Sequence, residues 1–257
     1  MKKYYINLKL ILFLVLMSGN SLSASSSNRP GIQAIIFDCD GVLVDTEYLK
    51  FLAWQDALSH HNVEFSIEEY TPLVGHSSKA IFQKIQTAKQ LELPEAILEL
   101  KNRKYTELQN QGVPAIAQMV DFAHYLSANK VNLGIQLGLA SSAPKEEIFT
   151  NLKQIGLDTV FDLIISGSDD LDEYTDPEGK NKPKPYIYIE AAKRMKVSPE
   201  LCIVFEDTQA GVEAAADAGM MAIAIPNRFT LNQNFSKANR IISHEDLNSF
   251  KTLNLAR

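Results

Sequence analysis

From residue 33 onward, short apolar runs alternate with stretches whose apolar residues return every three or four positions. The runs are QAIIFD (33–38), LGIQLGLAS (133–141), FDLIIS (161–166), LCIVFED (201–207), MAIAIP (221–226) and the weaker RIIS (240–243). Continuous and rich in β-branched residues, they predict strands buried on both faces, the signature of a parallel sheet. Between the later runs, PKEEIFTNLKQIG (144–156), KPYIYIEAAKRMKV (184–197) and TQAGVEAAADAG (208–219) predict helices, the first and third stopping on Gly. The alternation predicts a doubly wound, Rossmann-like α/β core with a mostly parallel sheet, whose site lies beyond the carboxyl ends of the strands.

The first crossover breaks the rhythm. Over ninety residues separate Asp38 from the next run, starting near Leu133, and they read as helices: EYLKFLAWQDALSHH, SSKAIFQKIQTAKQL and PEAILELKNRKYTELQNQ. A connection this long, with apolar faces of its own, predicts an inserted helical cap over 46–120, within a core formed by 32–45 and 121–257. Phe51, Trp54 and Leu58 read as the interior of its first helix, and His60 and His61 as surface. The acidic, turn-rich stretch 166–185 lacks the ligand spacing of a calcium loop and reads as a solvated connection.

Residues 1–24 stand apart from this pattern. Lys2, Lys3 and Lys9 flank LILFLVLM, and small residues follow, the layout of a secretory signal peptide with cleavage near Ser23 or Ala24. A periplasmic or secreted protein is expected, with no membrane contact after cleavage; an uncleaved anchor is the alternative, although the apolar stretch falls short of the ~20 residues a span needs.

The 257 residues are 46% apolar and 22% charged, an ordinary globular composition. Removing the three N-terminal lysines moves the formal balance from 25 − 31 = −6 to 22 − 31 = −9. So acidic a body has no footprint for phosphate backbones, and nucleic acid is not an expected partner. Oligomeric state is left open, with a monomer compatible. Cys39 leaves the first strand where Cys202 enters the fourth; if these are parallel neighbours the sulfurs lie at opposite ends, so two free thiols are expected.

The strand ends carry the chemistry. In order they present Asp38 and Asp40, then Ser141, then Lys182 in KPKP, then Glu206 and Asp207. Two carboxylates ~4 Å apart repel by roughly 4 kcal/mol at an effective dielectric near 20, so four of them at one point call for a cation. Hard oxygen ligands without histidine favour Mg²⁺ over zinc. Asp38 can attack phosphorus, and Asp40, two residues on, can serve as acid and base. Lys182 and the Ser141 hydroxyl suit the oxygens of a phosphate, and backbone N–H groups around Gly41 suit the rest.

FDCDGVLVDTE, LASSAP, KPKP and FEDTQAGVEAAADAGM resemble, in order, the four motifs of the haloacid dehalogenase (HAD) superfamily, in particular its branch of β-phosphoglucomutase-like enzymes and small sugar-phosphate phosphatases with a helical cap. The resemblance spans about residues 32–250. It implies Asp38 as nucleophile, Asp40 as acid/base, Ser141 and Lys182 as phosphate ligands, and Mg²⁺ held by Asp38, the Asp40 carbonyl and Asp207, with Glu206 a direct or water-mediated ligand. The expected reaction is hydrolysis of a small phosphorylated metabolite, a sugar phosphate, through an aspartyl-phosphate. A phosphosugar mutase is the alternative; a metal-free dehalogenase and a non-catalytic phospho-switch or binding module are rivals. Mutase relatives carry a His where this chain has Lys50, and a cap Arg where VGHSSKA offers Ser78 and Lys79. His76, Ser77 and Lys79, with Lys50, are the expected substrate-selecting residues. Lys180 and Lys184 compete with Lys182.

Overall fold

The computed structural model describes residues 31–244 and 246; the expected signal peptide, 1–24, lies outside them. Six parallel strands form one sheet: β1 (Ala34–Phe37), β2 (Gln136–Ser141), β3 (Leu163–Ser166), β4 (Cys202–Glu206), β5 (Met221–Ala224) and β6 (Arg240–Ile241), in the order β3-β2-β1-β4-β5-β6. Each expected run supplies one strand. The second begins later than its run, because Leu133 ends a helix that Gly134 closes with φ +65°. That conformation comes without a Cβ penalty to glycine, so LGI is helix end and turn before the strand starts.

The two-residue period of the strands sorts their side chains into two interiors. Ile35, Phe37, Leu137, Leu139, Ile203, Phe205 and Ile223 face one side, under α5 (Ala117–Leu133) and α6 (Lys145–Gln154). Ala34, Ile36, Ala140, Val204, Ala222 and Ala224 face the other, under α7 (Tyr186–Met195) and α8 (Gln209–Asp217). Phe37 stacks on Phe205 at 5.3 Å, and Phe122 meets both edge-on.

The insert contributes α1 (Glu47–Ser59), α2 (Ile67–Tyr70), α3 (Ser78–Lys89) and α4 (Ala96–Gln111). Phe51, Trp54, Leu58, Tyr70, Phe82, Ile85 and Ile97 form a separate apolar cluster there. The two chain crossings run side by side: Asp45 N–H donates to the Pro114 carbonyl and Ile116 N–H to that of Leu43, both at 2.8 Å. Helix α5 already packs in the core at Met119, so the return crossing precedes the expected limit at 120. Both cysteines are free and buried; pairing Ala34 with Cys202 in the β1–β4 register sets Cys39 five residues beyond the matching end. Among the described residues, no helix is long and apolar enough to cross a membrane.

Candidate active site

Parallel register sets the site. Phe37 lies opposite Phe205, and the Asp38 N–H continues the ladder to the Phe205 carbonyl at 3.0 Å. Asp38 and the Glu206–Asp207 pair therefore leave neighbouring strands at one level, and β2 brings Ser141 to the same edge. One oxygen from each of Asp38, Glu206 and Asp207 lies within 4.8 Å of the others, all three residues buried.

One ammonium sits among them. Lys182 Nζ donates to Asp38 Oδ1 at 2.8 Å, to Glu206 Oε1 at 2.6 Å and to the Ala140 carbonyl at 3.1 Å. Lys180 turns instead to the Leu171 carbonyl, and Lys184 to Glu178 and Asp176, so the loop geometry selects Lys182. Glu206 is fixed further by the Tyr188 hydroxyl and by Thr208 Oγ1 at 3.4 Å. A Cβ on Gly211 would lie 2.0 Å from the Glu206 Cδ, which is why the first turn of α8 carries glycine there. Burial alone would lower the Lys182 pKa, but Asp38 and Glu206 outweigh it and keep the ammonium charged.

The negative charge is not balanced by that one lysine. Burial, and then the Glu206 carboxylate, push Asp38 up to about 7 despite Lys182. Burial, Glu206 and Asp38 hold Asp207 well above the usual carboxylate range. Asp207 Oδ2 accepts from Asn227 Nδ2 at 2.7 Å, while Oδ1 is buried without a hydrogen-bond partner. An orphaned carboxylate oxygen amid surplus acid, with only oxygen donors around it, fits a hard divalent cation such as Mg²⁺. An ion there would take side-chain oxygens from Asp38 and Asp207, while Glu206, in the same group, already holds Lys182.

Asp40 stands slightly apart, accepting from the Thr46 hydroxyl and lying 3.4 Å from Lys50 Nζ. Lys50 also reaches Glu47 at 2.9 Å, and Glu47 accepts from Tyr70 at 2.7 Å. Lys50, expected among the selecting residues, is thus tied to the acid/base candidate. Gly41 departs from expectation: its N–H is taken by the Val44 carbonyl at 2.7 Å in the turn after β1, so it is not aimed at an incoming phosphate. What Gly41 supplies is room and a φ of +80°; a Cβ there would stand 2.0 Å from Asp207 Oδ2. Ser141 is buried and its Oγ accepts from the Ala143 N–H at 3.2 Å, leaving the hydroxyl proton to donate.

The cap loop arrives beside this cluster through Gly75, whose Cβ position is 3.4 Å from Thr208. His76 and Lys79 are exposed, and Ser77 accepts from the Ala80 N–H as the cap of α3. Sequence reasoning missed Lys101 on α4. Its ammonium lies 3.3 Å from Ser78 Oγ and over the rings of Trp54 and Tyr105, with burial and then Lys50 lowering its pKa to about 8. Tyr188 and Asn227 were missed as well: one sits in an ordinary amphipathic helix and the other follows β5, which showed no motif. The 166–185 stretch is largely exposed, as a solvated connection should be, but it is pinned at its start. Leu171 is buried, and Asp170 accepts from Lys145 and Arg194 and from the Ser166 N–H.

Residues 32–219 match the family described as haloacid dehalogenase-like hydrolase. The chain is 29% identical over 197 residues to the phosphorylated carbohydrates phosphatase of Thermotoga maritima, covering 75% of this chain and 84% of that one. It is 32% identical over 205 residues to the β-phosphoglucomutase of Bacillus subtilis, covering 76% and 83%. Its fold is similar to the crystal structure of CbbY from Rhodobacter sphaeroides in complex with phosphate. That match has a TM-score of 0.67 at 25% identity and covers 84% of this chain and 99% of that one.

Proposed function

The chain belongs to the haloacid dehalogenase-like hydrolases, and from that premise we propose a Mg²⁺-dependent phosphatase that hydrolyses a small phosphomonoester, a sugar phosphate, through an aspartyl-phosphate on Asp38. One observation carries this reading: Lys182 bridges Asp38 and Glu206 while a buried oxygen of Asp207 has no partner. The relatives named as a phosphatase of phosphorylated carbohydrates and as β-phosphoglucomutase support the substrate class.

Bound Mg²⁺ would neutralise part of the charge on the phosphoryl oxygens and on the carboxylates. The residues do the rest. Lys182 holds Asp38 Oδ1, leaving Oδ2 to attack phosphorus. As that O–P bond forms, the bond to the leaving oxygen breaks and Asp40, in its acid form, delivers the proton to it. Thr46 and Lys50 keep Asp40 aimed. Asp40, now a carboxylate, takes a proton from water; the water oxygen bonds to phosphorus, the acyl-phosphate bond breaks and Asp38 is regenerated. The Ser141 proton would meet a phosphoryl oxygen. Lys182, whose three N–H groups are given to Asp38, Glu206 and the Ala140 carbonyl, would act through its positive charge on a group whose negative charge is spread over three equatorial oxygens.

Asp38→Asn tests the assignment with an aryl phosphate and Mg²⁺. Phosphate release should fall below about a hundredth of the parent rate, since the amide is no nucleophile; release near the parent level removes Asp38 from the role. A mutase is the second reading, favoured by the β-phosphoglucomutase relative. An isomerised, still phosphorylated product in place of free phosphate would establish it. Export after loss of residues 1–24 is a proposal resting on the sequence alone, tested by the mass of the mature N-terminus.

A further inference from the structure

The loop after β5 touches the carboxylate cluster at one end and the cap at the other. Asn227 Nδ2 donates to Asp207 Oδ2 at 2.7 Å, and Asn227 Oδ1 accepts from the Phe229 N–H at 2.9 Å. The second bond settles the first: a backbone N–H can only donate, so the carboxamide must turn its NH₂ to the carboxylate. The Asn227 N–H in turn donates to Thr230 Oγ1 at 3.0 Å, and Thr230 is fully buried. The amide is thereby locked, and it occupies Asp207 Oδ2 while leaving the unpartnered Oδ1 for a cation.

The next residues grip the cap. Phe229 is buried inside the cap's apolar cluster, the core loop's one member of it among the described residues. Arg228 lies 5.7 Å from the Tyr48 ring centre on α1 and reaches Asp45, at the outgoing crossing, at 3.4 Å. Gln233 Nε2 donates to the Val74 carbonyl at 3.0 Å, beside the cap loop that meets Thr208. Gln233 Oε1 accepts from the Gln209 N–H at 2.7 Å, at the start of α8.

We propose that residues 227–233 form a clasp joining the cation site to the cap, in which Asn227 is the positioning residue that aims Asp207 and Gln233 carries the setting to the cap loop. This rests on the metal reading above. Coupling between two sites is reciprocal, so a cation that orders Asp207 must also bias the seating of residues 74–80.

The test uses the full chain and Mg²⁺ alone, read by titration calorimetry and by hydrogen exchange of the cap loop. Asn227→Ala should weaken Mg²⁺ binding roughly tenfold to a hundredfold, the usual effect of removing a partner of a metal ligand. Thr230→Ala loosens the same turn but keeps the carboxamide and its bond from the Phe229 N–H, and should weaken Mg²⁺ binding by clearly less than Asn227→Ala does. Gln233→Ala touches no carboxylate; it should change Mg²⁺ affinity only by the coupling it removes, less than Asn227→Ala does, and lose the Mg²⁺-dependent protection of residues 74–80 that the parent shows. Equal affinities for Asn227→Ala and Thr230→Ala, or a parent cap loop whose exchange ignores Mg²⁺, overturn the clasp. A parent protein that takes up no Mg²⁺ at all overturns the metal reading itself, and the clasp with it.

Discussion

With no cation bound, the carboxylate cluster should make the protein less stable as pH rises. Asp38 ordinarily titrates at 3.8; in the fold, burial and then Glu206 push it to about 7. The folded state therefore holds a proton that the unfolded chain has already lost throughout that window. Stability then falls with rising pH at about 1.36 kcal/mol per pH unit until the folded pKa is passed. Across the whole window the loss is about 4 kcal/mol, and between pH 5.5 and 7.5 it is about 2 kcal/mol. Asp207 acts in the same direction. Mg²⁺ bound there would keep the carboxylates ionised and remove this slope. The carboxyls of Asp170 and Glu190 are held below their ordinary values, so they lose stability only at more acid pH. His244, which burial holds below its ordinary value, contributes equally with and without metal. Thermal unfolding in EDTA and in saturating Mg²⁺ isolates the effect. For a chain of this length about 2 kcal/mol moves Tm by roughly 4–8 °C, so the gap between the two curves should widen by that much from pH 5.5 to 7.5. A gap that stays constant, or that narrows, refutes the reasoning.

Three further outcomes follow from particular contacts. Gly211→Ala gains about 1 kcal/mol of helix propensity, yet its methyl displaces a Glu206 carboxylate held by Lys182 and Tyr188. Hydrogen bonds to charged groups are worth about 1.5–3 kcal/mol each, so Tm and phosphate release should both fall; a more stable, fully active variant contradicts this. Lys50→Ala leaves Glu47 and Asp40 without their shared cation and should cost about 2 kcal/mol by denaturant unfolding, with kcat reduced and KM little changed. In Gln109→Ala, α4 loses its amide bond to Asn151 at 2.8 Å and to the Glu147 carbonyl at 3.1 Å. Hydrogen exchange should then rise at the α4–α6 contact, at a cost of about 1–3 kcal/mol.

The core was legible because a parallel strand covered on both faces is apolar along nearly its whole length. The first five runs come close to that demand, whereas β6 (Arg240–Ile241) is exposed and its run is correspondingly weak. The motif carboxylates were legible for a related reason: a charged residue ending an apolar run has no packing explanation. The register then brings Asp38 and Asp207 together, as the strand order requires. What stayed hidden depends on partners far apart in the chain. Asn227 lies 20 residues from Asp207, and Lys101 meets Ser78 across 23, so neither leaves a local signature. Tyr188 satisfies the helical period whether or not its hydroxyl meets Glu206. Gly41 was read as a phosphate cradle because a Gly after DxD suggests free N–H groups; the turn consumes its N–H, and its real demand is steric.

Crystals grown or soaked with Mn²⁺ and examined by anomalous diffraction give the most direct test, since Mn²⁺ takes the same oxygen ligands as Mg²⁺ and can be seen. The account predicts one strong peak at coordination distance, about 2.1–2.2 Å, from the carboxylates of Asp38 and Asp207 and beside Lys182. No peak between those two carboxylates at saturating Mn²⁺ would contradict it.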